Sequence, residues 1–410
     1  MKFIGNISNS RFATNIPKYF LYTALKNLGF GLFVAVWVIY LQQRRGLSLT
    51  QATIVDVTFL IIATLGEVPT GMVADTYGRK VSMVIGSALM GVSMLAWPIV
   101  PTLPLVVIAY AGMALGFTFL SGAEEALFFE SLKRIGRVEE YQRLAGQIGA
   151  ITLGAFAIGN AASGLLAAID LILPFLTGGL CVMAMLVIVL TLKEPPAEEL
   201  PDGQVQKSYR QILRDALGVM RTRPALRYPM IYLAFVPLAA TLLETFLVQP
   251  QAVLFGVPIA GIGFVVMAVQ LTNILGSNWS QQISTHLGEK QVIYLSPLVI
   301  VASLILLAMW QVLPSLTLIA VIGFVTAVLR PLIMNLIHAE VSDDIRATAL
   351  SMQSLITLLL MTVGELTVGY IGDKAGLPSA YIVLAGGIGL MSLILLWNSR
   401  SHFPQIVEPT

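Results

Sequence analysis

The sequence predicts an all-α membrane protein with twelve transmembrane helices in two pseudo-symmetric six-helix bundles. Three observations predict it: scarce charge, twelve apolar stretches of spanning length, and a repeat that divides them six and six. Charged residues make up 11% of the 410 and hydrophobic residues 57%. A soluble domain carries roughly a quarter charged residues, so this chain could not solvate a water-facing surface. Lipid removes the difficulty, because the outside of a helical bundle in a bilayer is apolar. A span needs about 20 predominantly apolar residues. Candidates fall near 18–41, 50–74, 81–100, 104–130, 143–168, 171–192, 228–250, 257–282, 292–310, 315–338, 347–371 and 378–397.

Basic residues orient these spans. With the amino terminus placed in the cytoplasm, 19 of the 24 Lys and Arg fall in inner segments. Only Arg44, Arg45 and Lys374 fall in outer ones, while Lys26 and Arg330 lie within spans. The positive-inside rule accounts for such a bias, and it puts both termini in the cytoplasm. The net charge of +2 gives no reason to expect nucleic acid. Cys181 is the single cysteine, so neither a disulfide framework nor a Cys-based metal site is expected. No metal or cofactor is expected at all, and the reading is of a monomer. The first apolar segment is long and holds Lys26 and Asn27, unlike a signal-peptide core, so it is read as the first helix.

The chain divides into an amino-terminal bundle (1–192), a cytoplasmic linker (193–227) and a carboxy-terminal bundle (228–410). The linker holds Pro195, Pro196 and Pro201. After them, Tyr209, Ile212, Leu213, Ala216, Leu217 and Met220 recur at helical spacing, with Lys207, Arg210 and Arg214 between. That pattern predicts an amphipathic helix on the inner membrane surface. A shift of 210 residues aligns Gly46 with Gly256, Gly66 with Gly276, Gly78 with Gly288, Gly154 with Gly364, Gly159 with Gly369 and Gly179 with Gly389. A duplicated six-helix unit is the expectation, with one half rocking against the other around a central site.

The connection after the second span reads Gly71-Met-Val-Ala-Asp75-Thr-Tyr-Gly78-Arg79-Lys80. Gly71 suits close helix approach, and Gly78 suits a turn with positive φ. Asp75 carries the charge that a helix amino end favours. Arg79 and Lys80 suit inner acids or lipid phosphates. This stretch resembles the signature loop of the major facilitator superfamily, and the resemblance covers about residues 15–400. It implies alternating access to a small-molecule site, with spans one, four, seven and ten lining the cavity, and it makes the start of the eleventh span, near Arg346, the partner of Asp75. The matching loop of the second half keeps Gly288 and Lys290 but has Thr285 where the acid would stand. In the fifth span Gly146, Ala155, Gly159, Asn160, Ser163 and Gly164 resemble a motif of proton-driven exporters, without its Gly-Pro. Glu67-Val-Pro-Thr-Gly71 and Ser121-Gly-Ala-Glu124-Glu125 resemble a bacterial exporter-like subgroup.

Ionisable residues within spans are costly and face the bundle interior. Counted along the helices, Lys26, Glu67, Glu124 and Arg330 lie roughly 6–10 Å to the inner side of the midplane. They form either a solute site, helped by Asn27, Gln270, Asn273 and Asn335, or an internal ion-pair network in which Glu124 meets Arg330. Asp56, Glu244 and Glu365 lie roughly 7–10 Å to the outer side, with no base in a span to offset them. These four acids, Asp56, Glu244, Glu365 and Glu67, are the proton-coupling candidates, and their oxygens also suit sodium. His338 and Glu340 sit at the inner end of the tenth span. No nucleotide-binding loop, nucleophile with base, or metal-spaced cluster is present, so the chain is not read as an enzyme. The expected function is a secondary transporter, a proton-coupled exporter of a drug-like molecule or metabolite. A nutrient importer, a lipid flippase and a non-transporting membrane sensor are the alternatives.

Overall fold

The structure, a computed structural model, describes residues 12–195, 218, 224–340 and 343–398, without the side chains of 224–227, 338–351 and 398. Apart from Gly218, the linker helix expected over 207–220 lies outside these residues, as do the side chains of His338, Glu340 and Arg346.

The described residues fold as helices throughout. The first span is Asn15–Val34 followed, after a bend of 43°, by Trp37–Arg44. The second is Leu49–Tyr77 and the third Arg79–Ala96. The fourth runs Leu103–Leu120, breaks at Ser121 and Gly122, and resumes as Ala123–Arg134. The fifth is Tyr141–Ile169 and the sixth Leu173–Thr191. The seventh is assembled from Pro224–Phe235, Leu238–Leu242, a π turn Leu243–Leu247, and Val248–Leu254. The eighth is Ile259–Leu287, the ninth Glu289–Met309 and the tenth Leu316–Glu340. The last helical stretch, Asp343–Asn398, has 56 residues. At 1.5 Å per residue that is about 80 Å, against a hydrocarbon core of about 30 Å. It is broken at Gly376, where φ is 80° and ψ 163°, so it supplies the eleventh and twelfth spans.

The chain forms two compact units. The first holds Met1–Arg45, Ile54–Asp202 and Pro258–Phe264; the second holds Gly46–Thr53, Gly203–Val257 and Val265–Thr410. In the first unit, small residues let backbones cross closely. A Cβ at Gly31 would stand 2.5 Å from the Phe156 carbonyl, and one at Gly159 would stand 2.5 Å from the Leu28 carbonyl. The first and fifth spans therefore meet glycine to glycine, and Ser163 adds a hydroxyl bond to the Leu32 carbonyl at 2.7 Å. A Cβ at Gly164 would stand 2.8 Å from the Ala260 carbonyl at the start of the eighth span. Packing of this kind is how helices associate where lipid removes the hydrophobic drive. Buried Asn15 bonds Ser131 and both backbone groups of Lys193, fixing the first span to the end of the sixth. Phe33, Tyr40, Trp97, Tyr110 and Phe175 form one aromatic cluster, which fills the space behind the bend in the first span.

The repeat holds at the level of single bonds. Thr70 donates to the Thr118 carbonyl at 3.2 Å in the first unit, and Ser280 to the Val328 carbonyl at 2.7 Å in the second. The two bonds are displaced by the same 210 residues as the glycines. Gly46 and Gly256 have φ of 64° and 77°, and Gly78 and Gly288 have 101° and 85°. In each half of the sequence repeat, then, matching glycines turn the chain in the left-handed region that side chains disfavour.

Candidate functional site

In the first unit the break in the fourth span positions the candidate site. Gly122 takes φ 73° and ψ −44°, and a new helix begins at Ala123 with Glu124 in its first turn. A helix amino end in mid-span favours a carboxylate, and broken spans are a common way to build transporter sites. Lys26 from the first span meets Glu124 at 2.6 and 2.7 Å. Tyr22, one helical turn before Lys26, donates its hydroxyl to the same carboxylate at 2.5 Å. Tyr22 is fully buried, and Tyr19 stacks on Phe128 beside it at 4.5 Å. Lys26 and Glu124 keep 17% and 20% of their side-chain surface exposed, so the pair is nearly dry yet reachable. Glu124 thus takes Lys26 as its partner, where the depth argument had paired it with Arg330. Depth along a helix says nothing about azimuth, and the break at Gly122 re-aims Glu124. Asn27 turns back to the Thr23 carbonyl of its own helix at 2.8 Å. Glu67, Arg330 and Asn335 are exposed.

Each outer acid is described within its own unit. Asp56 accepts from the Tyr110 hydroxyl at 3.2 Å in the first unit. Glu244 lies in the π turn of the seventh span, and Asn273 of the eighth donates to its Oε2 at 2.7 Å. The other two oxygens of that pair, Glu244 Oε1 and Asn273 Oδ1, are buried with no hydrogen-bond donor among the described residues. Gly323 of the tenth span makes room for them, since a Cβ there would land on both oxygens. Glu365 is fully buried in the second unit, on the span whose Gly364 lies against Leu238 and Leu242 of the seventh.

At the Gly71–Lys80 loop, Gly78 takes the positive φ its position demands. Arg79 pairs with Glu130 and also bonds the Ala126 carbonyl at 3.3 Å. The Lys80 ammonium bonds the Leu190 carbonyl at 2.8 Å. Glu194 was not foreseen. Its carboxylate accepts from the backbone amides of Arg79 at 2.9 Å and Lys80 at 2.6 Å, capping the third span. The only signal for it was an acid just after the sixth span, facing a basic loop. A side-chain cap of this kind contributes about 1 kcal/mol. Glu194→Ala should therefore lower the melting temperature in detergent by a few degrees and leave the membrane level unchanged; an unaltered melt would exclude the cap. A Cβ at Gly71 would meet nothing within 4 Å among the described residues. Asp75 is exposed at the end of the second span. The start of the eleventh span, its implied partner, has no described side chains.

A multi-pass helical protein with an ion pair at a broken span and buried acids on other helices has the build of a solute transporter. The family model of the Major Facilitator Superfamily matches residues 19–321, and the chain belongs to that superfamily. Over 209 residues it is 25% identical to the MFS-type transporter YxaM of Bacillus subtilis, a match covering 49% of this chain and 50% of that one. Over 392 residues it is 24% identical to the multidrug efflux pump Tap of Mycobacterium tuberculosis, covering 91% of each. Among solved structures, the nucleoside transporter NupG superposes with a TM-score of 0.73 at 16% identity, covering 95% of this chain and 99% of that one. A D-xylose-proton symporter superposes with 0.69 at 13%, covering 94% and 97%. These two likenesses show the fold alone.

Proposed function

We propose that this transporter is a proton-coupled exporter of a small drug-like molecule or metabolite, working in a bacterial cytoplasmic membrane with both termini inside. The observation that carries the coupling is the Glu244–Asn273 pair. An ionised carboxylate there leaves two buried acceptor oxygens beside Gly323 with no donor among the described residues, an arrangement that costs about 1–3 kcal/mol per unsatisfied group. A proton on Oε1 would supply the missing donor and complete an acid–amide pair. Losing that proton would require water or a shift of the helices, which links protonation to conformation. The Lys26–Glu124–Tyr22 cluster is the solute-site candidate, offering one cation, one anion and aromatic surface. The end-to-end match to an efflux pump and the small-residue face of the fifth span support export over import.

Ethidium serves as a probe of direction. Cells expressing the protein, preloaded and then energised, should lose ethidium faster than cells without it, and an uncoupler should remove the difference. Faster energised accumulation would instead support the importer reading, and no difference across a panel of dyes, antibiotics and metabolites would count against export of drug-like molecules.

A further inference from the structure

The pattern Gly-x-x-x-Asp-x-x-Gly, which ends the second span as Gly71, Asp75 and Gly78, occurs again at the end of the eleventh as Gly369, Asp373 and Gly376. The resemblance extends to geometry. Gly376 has φ 80° and ψ 163°, and Gly78 has φ 101° and ψ 152°. Here the partner of the acid is described. The Asp373 carboxylate accepts from the Leu49 amide at 2.8 Å, from the Thr50 amide at 2.8 Å and from the Thr50 hydroxyl at 2.5 Å. Leu49 and Thr50 are the first residues of the second span, so the acid sits on a helix amino end, where the dipole favours it. Gly369 brings the backbones together: a Cβ there would stand 2.7 Å from Thr53 Oγ1 and 3.1 Å from Thr50 Cα. Gly372 does the same for Leu49, whose Cδ2 would lie 2.6 Å from an added Cβ. All these residues belong to the second unit, whereas the second span from Ile54 onward belongs to the first.

We infer that Gly369, Asp373 and Gly376 form a releasable latch on the amino end of the second span, at the end opposite the Gly71–Lys80 loop. Latched, the carboxylate holds the first turn of the second span to the eleventh. Passage to the alternate state at that end requires three hydrogen bonds to the carboxylate to be given up together. Two are made by backbone amides, so no side-chain change on the second span removes them; the latch is controlled from Asp373. The inference rests on alternating access, which any direction of transport requires, and not on the identity of the solute.

The test replaces Cys181 with serine, then introduces Leu49→Cys with Gly372→Cys, a pair in which the smaller residue at 49 makes room for the new Cβ at 372. Copper–phenanthroline oxidation is followed in native membranes by maleimide–polyethylene glycol gel shift after denaturation. With Asp373 intact the disulfide should form quickly. Asp373→Asn keeps the shape and removes the charge, and should slow it about tenfold, the size expected for hydrogen bonds to an ionised group. Thr50→Ala removes one bond of the three and should slow it about threefold. Oxidation should stop ethidium movement and a reductant should restore it. Equal cross-linking rates with Asp373, Asp373→Asn and Thr50→Ala would overturn the latch, as would full transport by the cross-linked protein. Cross-linking that depends on Asp373 while ethidium does not move would uphold the latch and count against the exporter reading.

Discussion

Neutralising one member of the Lys26–Glu124 pair is expected to harm the protein more than neutralising both. The two charges touch at 2.6 Å with about a fifth or less of each side chain exposed. Removing one partner of such a pair leaves the other uncompensated, at about 3–5 kcal/mol. The two single changes differ. In Lys26→Met, Glu124 keeps the Tyr22 hydroxyl and the helix amino end, so the loss should lie at the low end of that range. In Glu124→Gln, the Lys26 ammonium keeps only a carboxamide oxygen and the face of the Tyr22 ring at 5.8 Å, so the loss should be larger. The double variant strands neither charge and should melt above both singles. Fluorescence-detected melting in detergent checks the order. A double variant that melts at the sum of the single losses would mean that the two groups are not coupled. Transport should fall in all three variants if the cluster also meets the solute. If the pair only holds the helices, the double variant should recover transport along with stability.

The parts of this molecule that depend on composition were legible in the sequence. Twelve spans follow from hydropathy, and the turns at Gly78 and Gly288 follow from the need for positive φ. The 210-residue repeat, first read from glycines, recurs in bonds that no glycine count could foresee, such as Thr70 to Thr118 and Ser280 to Val328. Backbone breaks were not legible. The π turn that carries Glu244 and the bend before Trp37 lie within apolar runs, and the break at Gly122 falls inside a stretch of spanning length, so hydropathy does not register them. Those breaks set azimuth, and azimuth decides partners. That is why Glu124 meets Lys26, and why the partners of Asp56 and Glu244, Tyr110 and Asn273, could not be named from depth. Asn273 was visible as a polar residue in the eighth span, but its role depends on the room that Gly323 leaves on the tenth. Asp373 falls between the expected eleventh and twelfth spans, and its part in the fold appears only once the first turn of the second span is seen against it.

The Glu244–Asn273 pair makes the central claim testable in one assay. Proteoliposomes holding the purified protein are given an imposed pH gradient, and ethidium accumulation against its own gradient is followed. The same preparation is then followed for ethidium exchange with no gradient imposed. Glu244→Gln keeps the hydrogen bond from Asn273 but cannot gain or lose a proton, so pH-driven accumulation should fall by at least about tenfold, a loss of about 1.4 kcal/mol of drive or more. Exchange, which moves no net proton, should persist. Full pH-driven accumulation in Glu244→Gln, at a normal protein level, would contradict the account and move the proton site to Glu365, Asp56 or Glu67.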